Sequence, residues 1–395
     1  MSIRSSGRRT GAGAAALAIG ASALLVPTAA GTTHAEPLPP RPASSVDASL
    51  LHRPGTHVRA RQGAPALPDD VSALSWLVAD VGTGAVLAAH DAHRRLPPAS
   101  TLKTLFALTA LPHLPGSGRH TVTDAELDEV PEGSSTVGLT ADHTYRVADL
   151  WRGVFLSSGN DAVHVLAAMN GGWDVTSAQM QAKAPALGAR DTTVVSPDGF
   201  DAEGQASSAY DLAVFGRTGL ADPAFAEYAA TADAQFPGGT HTDGSPTWTY
   251  GIENTNRLVT GQDGLGRYPG IIGVKNGYTS QAGFTLIAAA RRDGRTLLAT
   301  VMNPQRGGAN AVYEEARSLL DWGFAAAGHV DPVGSLAPPA SPPAAPPAAV
   351  VAAGAVTPDR LHVGAPMLYG LSAAFLAAVT ALAGTAVLRR RRTGP

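Results

Sequence analysis

The segment Pro97-Pro98-Ala99-Ser100-Thr101-Leu102-Lys103 is the most informative stretch of this chain. Two prolines punctuate the sequence, and the pattern that follows predicts a helix from Ser100 to Leu111 that stops at Pro112. Ser100 and Lys103 stand three residues apart at the start of that helix, so their side chains share one face. A serine hydroxyl becomes an effective nucleophile when a neighbouring base takes its proton. The segment therefore indicates a serine hydrolase with a lysine base.

Lysine is rare in this sequence, and its rarity strengthens that interpretation. Lysine and arginine together number 29 in 395 residues, yet only Lys103, Lys183 and Lys275 are lysines. Burial can tune an amine to lose its proton, whereas a guanidinium stays charged. We therefore expect lysine where the chemistry needs an amine or a compact ammonium. Lys183 is the exception, because it lies in an Ala/Gln-rich helical segment where we expect it to be solvated.

A second motif, Ser158-Gly159-Asn160, follows between two predicted helical stretches in residues 147–169. The Ser158 hydroxyl can relay a proton between Lys103 and a leaving amine, and the Asn160 amide can hold a substrate backbone. Taken alone, the motif is better explained as a glycine-containing loop that caps the helix at Asp161. Its catalytic interpretation therefore depends on the other motifs.

A third motif, Lys275-Asn276-Gly277-Tyr278, lies on a predicted apolar strand. There the Lys275 ammonium can attract a substrate carboxylate, and Gly277 lets the backbone approach a ligand closely. The backbone amides of Ser100 and Tyr278 are the expected oxyanion donors. Taken alone, Lys275 is also explained as an edge-strand lysine that discourages aggregation.

The three motifs, in this order, resemble the signature of penicillin-binding proteins and serine β-lactamases. The resemblance is closest to the low-molecular-mass D-alanyl-D-alanine carboxypeptidases and covers about residues 71–324. The supporting segments are Leu156-Ser157-Ser158-Gly159-Asn160-Asp161-Ala162, Ser196-Pro197-Asp198-Gly199-Phe200, Ser207-Ser208-Ala209-Tyr210-Asp211-Leu212-Ala213 and Leu319-Leu320-Asp321-Trp322-Gly323-Phe324.

This resemblance implies a role for each matching position. Ser100 is the expected acylated nucleophile and Lys103 its proton acceptor, while Ser158 and Asn160 complete the active centre. Lys275 is expected to bind the substrate carboxylate. At Asn276 the family more often has threonine, so an amide replaces a hydroxyl contact to that carboxylate.

The predicted fold is α/β of the α+β type, and β-lactamase/transpeptidase-like. An antiparallel sheet is expected from segments at both ends of the folded region, with helices packed on it and a helical subdomain between them. The predicted strands are residues 76–80, 85–90, 271–275, 284–291 and 296–302, and a closing helix is predicted at residues 312–324. The turn Arg292-Asp293-Gly294-Arg295 is a strong hairpin signal.

The two ends of the chain indicate export and membrane anchoring. We expect a signal peptide at 1–35, a disordered Pro/Arg/Ala-rich segment at 36–68 and a catalytic domain at 69–328. A Pro/Ala-rich linker at 329–362, a transmembrane helix at 363–388 and a basic cytoplasmic tail at 389–395 complete the prediction. The alternative for residues 1–35 is a membrane-spanning helix, and the alternative for residues 363–388 is a buried core helix. A single-pass cell-membrane protein with an extracellular catalytic domain is the expected arrangement.

Composition narrows the function further. The formal net charge of −3 gives no indication of nucleic-acid binding, and the absence of cysteine excludes thiol nucleophiles, zinc–thiolate sites and disulfides. We expect no cofactor and no metal. His90 and His93 lack a third ligand at a sensible spacing and are expected to be surface histidines. Arg257 is expected to be structural rather than a ligand of the carboxylate.

The leading hypothesis is a serine-type D-Ala-D-Ala carboxypeptidase that acts on peptidoglycan stem peptides and is acylated by β-lactam antibiotics. A DD-endopeptidase or a transpeptidase shares all three motifs and stays open as an alternative. A β-lactamase is less favoured because no Glu-x-x-Leu-Asn loop lies between the second and third motifs. A non-catalytic wall-binding protein is remoter, since Ser100 and Lys103 are both retained.

Overall fold

The computed structural model describes residues 48–243 and 245–336. Its strands are β1 (Thr56–Ala60), β2 (Ala73–Asp80), β3 (Ala85–His90), β4 (Arg119–Thr121), β5 (Thr144–Arg146), β6 (Asp233–Thr240), β7 (Pro246–Glu253), β8 (Ile271–Thr279), β9 (Gly283–Arg292), β10 (Arg295–Pro304), β11 (Val330–Asp331) and β12 (Gly334–Ser335). Its α-helices are α1 (Lys103–Ala110), α2 (Asp124–Leu127), α3 (Val147–Phe155), α4 (Asn160–Met169), α5 (Trp173–Ala186), α6 (Ala209–Gly219), α7 (Pro223–Ala230), α8 (Arg257–Thr260) and α9 (Ala311–Ala326). Short 3₁₀ turns cover Ala48–His52, Ala99–Leu102 and Leu111–His113.

One antiparallel sheet organises the fold. Its strands lie in the order β11-β1-β3-β2-β10-β9-β8, and β12 pairs with β3 beside this path. Segments from both ends of the folded region therefore meet in one sheet, as predicted. The β9–β10 hairpin closes at Arg292 and Arg295, in agreement with the turn signal. Strand β8, which carries the third motif, pairs with β9 and is the last strand of that order.

The central strands are buried on both faces, and alternate residues contribute to two separate cores. On one face Leu77, Ile287 and Leu298 join a cluster that includes residues of α1, α3, α4 and α6. On the other face Val78 and Leu297 pack with residues of α9. Successive side chains of a strand point to opposite faces of the sheet. Since both sets are buried against helices, helices cover both sides of the sheet. This packing confirms the predicted α/β class.

The helical region between β3 and β8 contains two further pairs of strands. Strand β4 pairs with β5, and β6 pairs with β7, so each forms a small antiparallel ribbon. Neither ribbon was predicted from the sequence. Phe236, which lies within the second ribbon, is buried and contacts Tyr145 at a ring-centroid distance of 6.0 Å. The ribbon therefore belongs to the core around the first and second motifs.

The sheet extends beyond the predicted limits of the catalytic domain. Residues 36–68 were expected to be disordered, yet Thr56–Ala60 pairs with β3 and with β11. Residues 329–362 were expected to be linker, yet β11 and β12 add to the sheet. The short polar strand β1 has no strong apolar alternation, and this explains why it was missed.

Several predicted segments lie outside the described residues. They are the signal peptide at 1–35, most of the linker, the transmembrane helix at 363–388 and the basic tail at 389–395. Within residues 48–243 and 245–336, none of the helices combines the length and apolar character needed to cross a bilayer.

Candidate active site

The first motif forms a tight turn that leads directly into α1. Residues Ala99–Leu102 make a 3₁₀ turn, and Lys103 is the first residue of the α-helix. Lys103 Nζ donates a hydrogen bond to Ser100 Oγ at 2.8 Å. The backbone at Ala99 has a φ of +49°, in the left-handed region that costs energy for a residue with a side chain. The turn thus holds the hydroxyl and the amine in direct contact.

Lys103 is almost completely enclosed, with a relative exposure of 1%. Its amine also donates to Asn160 Oδ1 at 2.7 Å and to the backbone oxygen of Asp198 at 2.6 Å. Burial lowers the pKa of Lys103 to about 8, although the charges of Asp198 and Asp161 oppose the shift. A substantial fraction of this amine is therefore neutral near physiological pH and can accept a proton.

The second motif places Asn160 beside that amine, with Ser158 two residues before it in the chain. Asn160 begins α4 and is buried, and Ser158 just before it has a φ of +58°. Ser158 Oγ is buried and has no hydrogen-bond partner within the described residues. Asp161 fixes the loop because its carboxylate accepts the backbone N–H groups of Gly138 and Leu139 at 2.8 and 3.0 Å. The unpartnered Ser158 hydroxyl is thus free to exchange a proton with a reacting group.

The predicted task of Asn160 needs a refinement. We expected its amide to hold the substrate backbone, but its oxygen accepts a hydrogen bond from Lys103. Only the Asn160 Nδ2 group is left to donate to a substrate, because each amide has one acceptor atom. Asn160 therefore orients the base.

The third motif lies on β8, and Lys275 is buried there with a relative exposure of 2%. Its Nζ donates to the backbone oxygen of Asn276 at 2.8 Å. Burial lowers the pKa of Lys275 well below its usual value, and the nearby Lys103 charge lowers it further. A substrate carboxylate would supply the negative charge that this group lacks.

Gly277 brings β8 against the nucleophile turn. A Cβ atom built at this position would lie 2.7 Å from the Ser100 backbone nitrogen, so any side chain would force the two segments apart. The Ser100 amide and the next residue on β8, Tyr278, are consequently close to each other. The Tyr278 side chain is exposed and contacts the Phe284 ring at 4.5 Å. Its backbone amide is the part expected to serve the site.

Asn276, where the family more often has threonine, is held by a neighbouring hydroxyl. Thr255 Oγ1 donates to Asn276 Oδ1 at 3.1 Å. The oxygen of this amide is thereby occupied. The Nδ2 group also interacts with the Tyr313 hydroxyl, and its second N–H remains for a carboxylate. The side chain can still offer one hydrogen bond at the position where a threonine hydroxyl is expected.

Asp198 is the functional residue whose role sequence reasoning missed. Its carbonyl oxygen completes the set of Lys103 acceptors. The loop can reach this position because Gly199 has a φ of +78°, and a Cβ there would lie 2.1 Å from the Ala99 oxygen. Asp198 lies in one of the segments that resemble the family. Its contact with Lys103 is made by the backbone carbonyl oxygen, which every residue type has, so the sequence could not predict it.

Three residues that were not expected to take part in catalysis have well-defined contacts in the structure. Lys183 was expected to be solvated, but its Nζ donates to the backbone oxygen of Leu108 at 2.8 Å. His93 was expected at the surface, but it is partly buried and lies 2.7 Å from Asp191 Oδ2. Arg257 bonds Asn310 Oδ1 and pairs with Asp263, as a structural residue would. Within the described part of the chain, no group of three His, Asp or Glu residues is arranged to hold a metal ion.

The fold and the site together define a serine-type acyl-transferring enzyme of the penicillin-binding protein class. The sequence profile of the D-alanyl-D-alanine carboxypeptidase family, Peptidase S11, matches residues 61–306. The chain therefore belongs to this family, and it is a serine-type carboxypeptidase of that family.

Individual relatives agree with the family profile. The chain is 39% identical over 267 residues to D-alanyl-D-alanine carboxypeptidase DacB2 of Mycobacterium tuberculosis. The aligned region covers 67% of this chain and 86% of the relative. It is 35% identical over 267 residues to DacD of Escherichia coli, covering 65% of this chain and 64% of the relative.

Solved structures show the same likeness. A D-alanyl-D-alanine carboxypeptidase from Mycobacterium tuberculosis H37Rv superimposes with a TM-score of 0.61 at 38% identity, covering 70% of this chain and 99% of that one. The Streptomyces K15 DD-transpeptidase gives a TM-score of 0.61 at 26% identity, covering 66% and 100% of the two chains. These neighbours confirm the predicted transpeptidase-like fold.

Proposed function

We propose that this protein removes the terminal D-Ala from peptidoglycan stem peptides through an acyl-enzyme on Ser100. The observation that carries the proposal is the 2.8 Å contact between Lys103 Nζ and Ser100 Oγ, made by an enclosed amine. Burial lowers the pKa of that amine to about 8, so a fraction of it is neutral near pH 7 and can act as a base on the nucleophile.

Acylation follows from this pairing. Neutral Lys103 takes the Ser100 proton while Oγ forms a bond to the carbonyl carbon of the penultimate D-Ala. The carbon–nitrogen bond to the terminal D-Ala then breaks. The proton passes to the leaving nitrogen from Lys103, directly or through the Ser158 hydroxyl. A water molecule later attacks the ester, gives its proton to the same relay and restores Ser100.

The remaining groups orient the substrate and stabilise charge. Lys275 and the Asn276 amide would bind the terminal carboxylate, since an anion favours the protonated form of a buried amine on which no carboxylate charge acts among the described residues. The amides of Ser100 and Tyr278 would donate to the oxyanion that develops on the attacked carbonyl. A β-lactam carries a comparable carbonyl and carboxylate, so we propose that it acylates Ser100 as its ring opens.

Transpeptidation is a second candidate, favoured by the likeness to a DD-transpeptidase at 26% identity. The two reactions share the acyl-enzyme and differ in whether water or an amine attacks it. Adding glycylglycine to the assay separates them, because a transpeptidase transfers the acyl group to that amine. An endopeptidase would cleave the cross-link of a peptide dimer and release the two separate peptides, and a β-lactamase would turn over penicillin rapidly.

The proposal extends to location. The basic and apolar pattern of residues 1–35, and the apolar stretch with its arginine flank at 363–395, favour an exported protein anchored in the cell membrane. Protease added to intact spheroplasts should then release the catalytic domain from the membrane. Complete protection of that domain would contradict the proposed orientation.

Release of D-Ala from a synthetic pentapeptide tests the proposed reaction. We expect the purified protein to release one D-Ala per peptide, and Ser100→Ala to lower the rate by about 10⁴-fold or more. Ser157→Ala, a change to a neighbouring serine outside the three motifs, serves as the matched control. Retention of a tenth of the activity in Ser100→Ala would rule out covalent catalysis by Ser100.

A further inference from the structure

A second cleft opens beside the catalytic lysine, on the far side of the Asp198 loop. It has a volume of about 200 Å³ and is lined by Glu129, Pro131, His164, Trp173, Ser196, Asp198, Phe200, Asp201 and Ala202. None of the catalytic residues named above contributes a side chain to this lining. The cleft is therefore lined by residues outside the three motifs.

Two buried polar atoms in this lining lack a partner. Asp198 Oδ1 accepts hydrogen bonds from Ser196 Oγ and from the Phe200 backbone nitrogen, at 2.7 and 3.0 Å. Asp198 Oδ2, in a residue with 1% relative exposure, has no partner within the described residues, and neither does His164 Nε2 at 9% exposure. A buried polar atom without a partner costs free energy, which a suitable ligand can recover.

The chemistry of the lining selects the charge of that ligand. Three carboxylates, from Glu129, Asp198 and Asp201, face two aromatic rings, and neither lysine nor arginine is among the lining residues. Burial lowers the pKa of His164, which stacks on Trp173 at 4.1 Å, so the imidazole is predominantly neutral at physiological pH. Carboxylates and aromatic faces both attract a cation.

The cleft lies near the line that a substrate peptide bound along β8 would follow. Asp198 links the cleft to the reaction centre through its carbonyl contact with Lys103. Asp201 Oδ2 accepts from Ser280 Oγ and from the Gln281 nitrogen, just beyond the end of β8. A peptide that lies along β8, with its carboxylate at Lys275 and its attacked carbonyl at Tyr278, continues towards Ser280 at about 3.3 Å per residue.

We propose that this cleft binds a primary ammonium on the side chain of the donor peptide, carried by the residue that precedes the D-Ala–D-Ala pair. The proposal rests on the proposed carboxypeptidase function and names the substrate class within it. Asp198 Oδ2 and Glu129 would accept hydrogen bonds from the ammonium, and the Trp173 and Phe200 rings would shield it from water.

Two peptides that differ only in this charge test the proposal. The probes are Nα-acetyl-L-Lys-D-Ala-D-Ala, with its side-chain amine free, and the same peptide acetylated on that amine. A charge-assisted hydrogen bond contributes about 1.5–3 kcal/mol, so kcat/KM should favour the free amine by about 10-fold or more. Equal kcat/KM values for the two peptides would overturn the subsite and leave the carboxypeptidase function standing.

Variants locate the preference in the cleft. Glu129→Gln and Asp198→Asn should each reduce the ratio of the two kcat/KM values by about threefold or more, whereas Glu227→Gln, an exposed residue of α7, should leave the ratio unchanged. If Asp198 has only a structural role, Asp198→Asn will slow the hydrolysis of both peptides equally. A ratio of kcat/KM values that is unchanged in both Glu129→Gln and Asp198→Asn contradicts the proposal. Glu129 is exposed, so its variant is expected to fold even if Asp198→Asn does not.

Acylation by benzylpenicillin separates the two ways in which the experiment can fail. If the wild-type protein is acylated on Ser100 but hydrolyses neither peptide, the carboxypeptidase proposal is wrong and the subsite proposal is wrong with it. Acylation together with hydrolysis of both peptides at one rate refutes the subsite alone.

Discussion

Two buried lysines lie on the two segments that meet at Ser100, and their surroundings differ in a way that fits two different proposed tasks. Lys103 on α1 donates to three oxygen atoms and lies near the carboxylates of Asp198 and Asp161. Lys275 on β8 donates to a backbone carbonyl oxygen, and the principal charge that acts on it is the repulsive charge of Lys103.

The difference shows how one residue type can perform two tasks. Burial lowers the pKa of both amines, but the charges of Asp198 and Asp161 limit the shift for Lys103. The hydrogen bond to Ser100 Oγ fixes the Lys103 amine against the nucleophile. Among the described residues no carboxylate charge acts on Lys275, so it is the proposed site where a substrate anion would restore the balance of charge. The proposed proton acceptor has its partners around it, whereas the described residues give the proposed anion-binding lysine no counter-ion.

Replacing the base should have the largest effect. Lys103→Arg puts a permanently charged guanidinium next to Ser100, and Lys103→Met removes the amine altogether. Both variants should lower kcat/KM for the pentapeptide by about 10³-fold or more, the upper range of general base catalysis. Steady-state D-Ala release measures this, and circular dichroism confirms that each variant is folded. A folded Lys103→Arg enzyme within tenfold of wild type would show that the base lies elsewhere.

Replacing Lys275 should separate binding from stability. Lys275→Met should lower kcat/KM for a peptide with a free carboxylate by on the order of 10²-fold, and have much less effect on the same peptide ending in an amide. Loss of activity on both peptides to the same extent would argue against carboxylate binding.

The same variant should not destabilise the fold. Because burial lowers the pKa of Lys275, the folded state binds fewer protons than the unfolded chain from that lowered pKa up to about pH 10.4. Below the lowered pKa, the protonated amine reduces the free energy of unfolding by its full amount. Replacing Lys275 with methionine removes this destabilisation. Urea denaturation at neutral pH should give an unfolding free energy for Lys275→Met at least as large as that of wild type.

The third lysine should have the smallest effect and provides the control. Lys183→Met removes one hydrogen bond to the Leu108 carbonyl oxygen, on the helix that carries Lys103. A loss of about 1 kcal/mol in unfolding free energy is expected, with kcat/KM within about twofold of wild type. Thermal or urea denaturation and the D-Ala assay measure the two quantities. A large drop in kcat would mean that α1 needs this contact to position Lys103.

The sequence was sufficient to predict strands β2, β3, β8, β9 and β10 of the sheet, and the three motifs. The hairpin of β9 and β10 and the closing helix α9 follow from turn residues and apolar periodicity, which are local signals. The scarcity of lysine pointed to Lys103 and Lys275 before any geometry was known. The structure places both amines within one site, as that reasoning required.

Contacts made by backbone atoms could not be predicted in the same way. The carbonyl of Asp198 bonds Lys103, and Ala99 and Ser158 adopt left-handed backbone conformations, yet residue type indicates neither. Strand β1 was missed because its pairing is decided by the sheet it joins and not by its own composition. Tertiary contacts determine these features, and a pattern within one segment does not record them.

The pH dependence of acylation by benzylpenicillin tests the central claim most directly. The rate of adduct formation on Ser100, followed by mass spectrometry of the intact protein and its peptides, should rise about tenfold per pH unit and level off above the Lys103 pKa of about 8. In Lys103→Met this rise should disappear along with nearly all acylation. An acylation rate in the wild-type protein that is flat between about pH 6 and 9, or an adduct on another residue, would contradict a neutral Lys103 acting on Ser100.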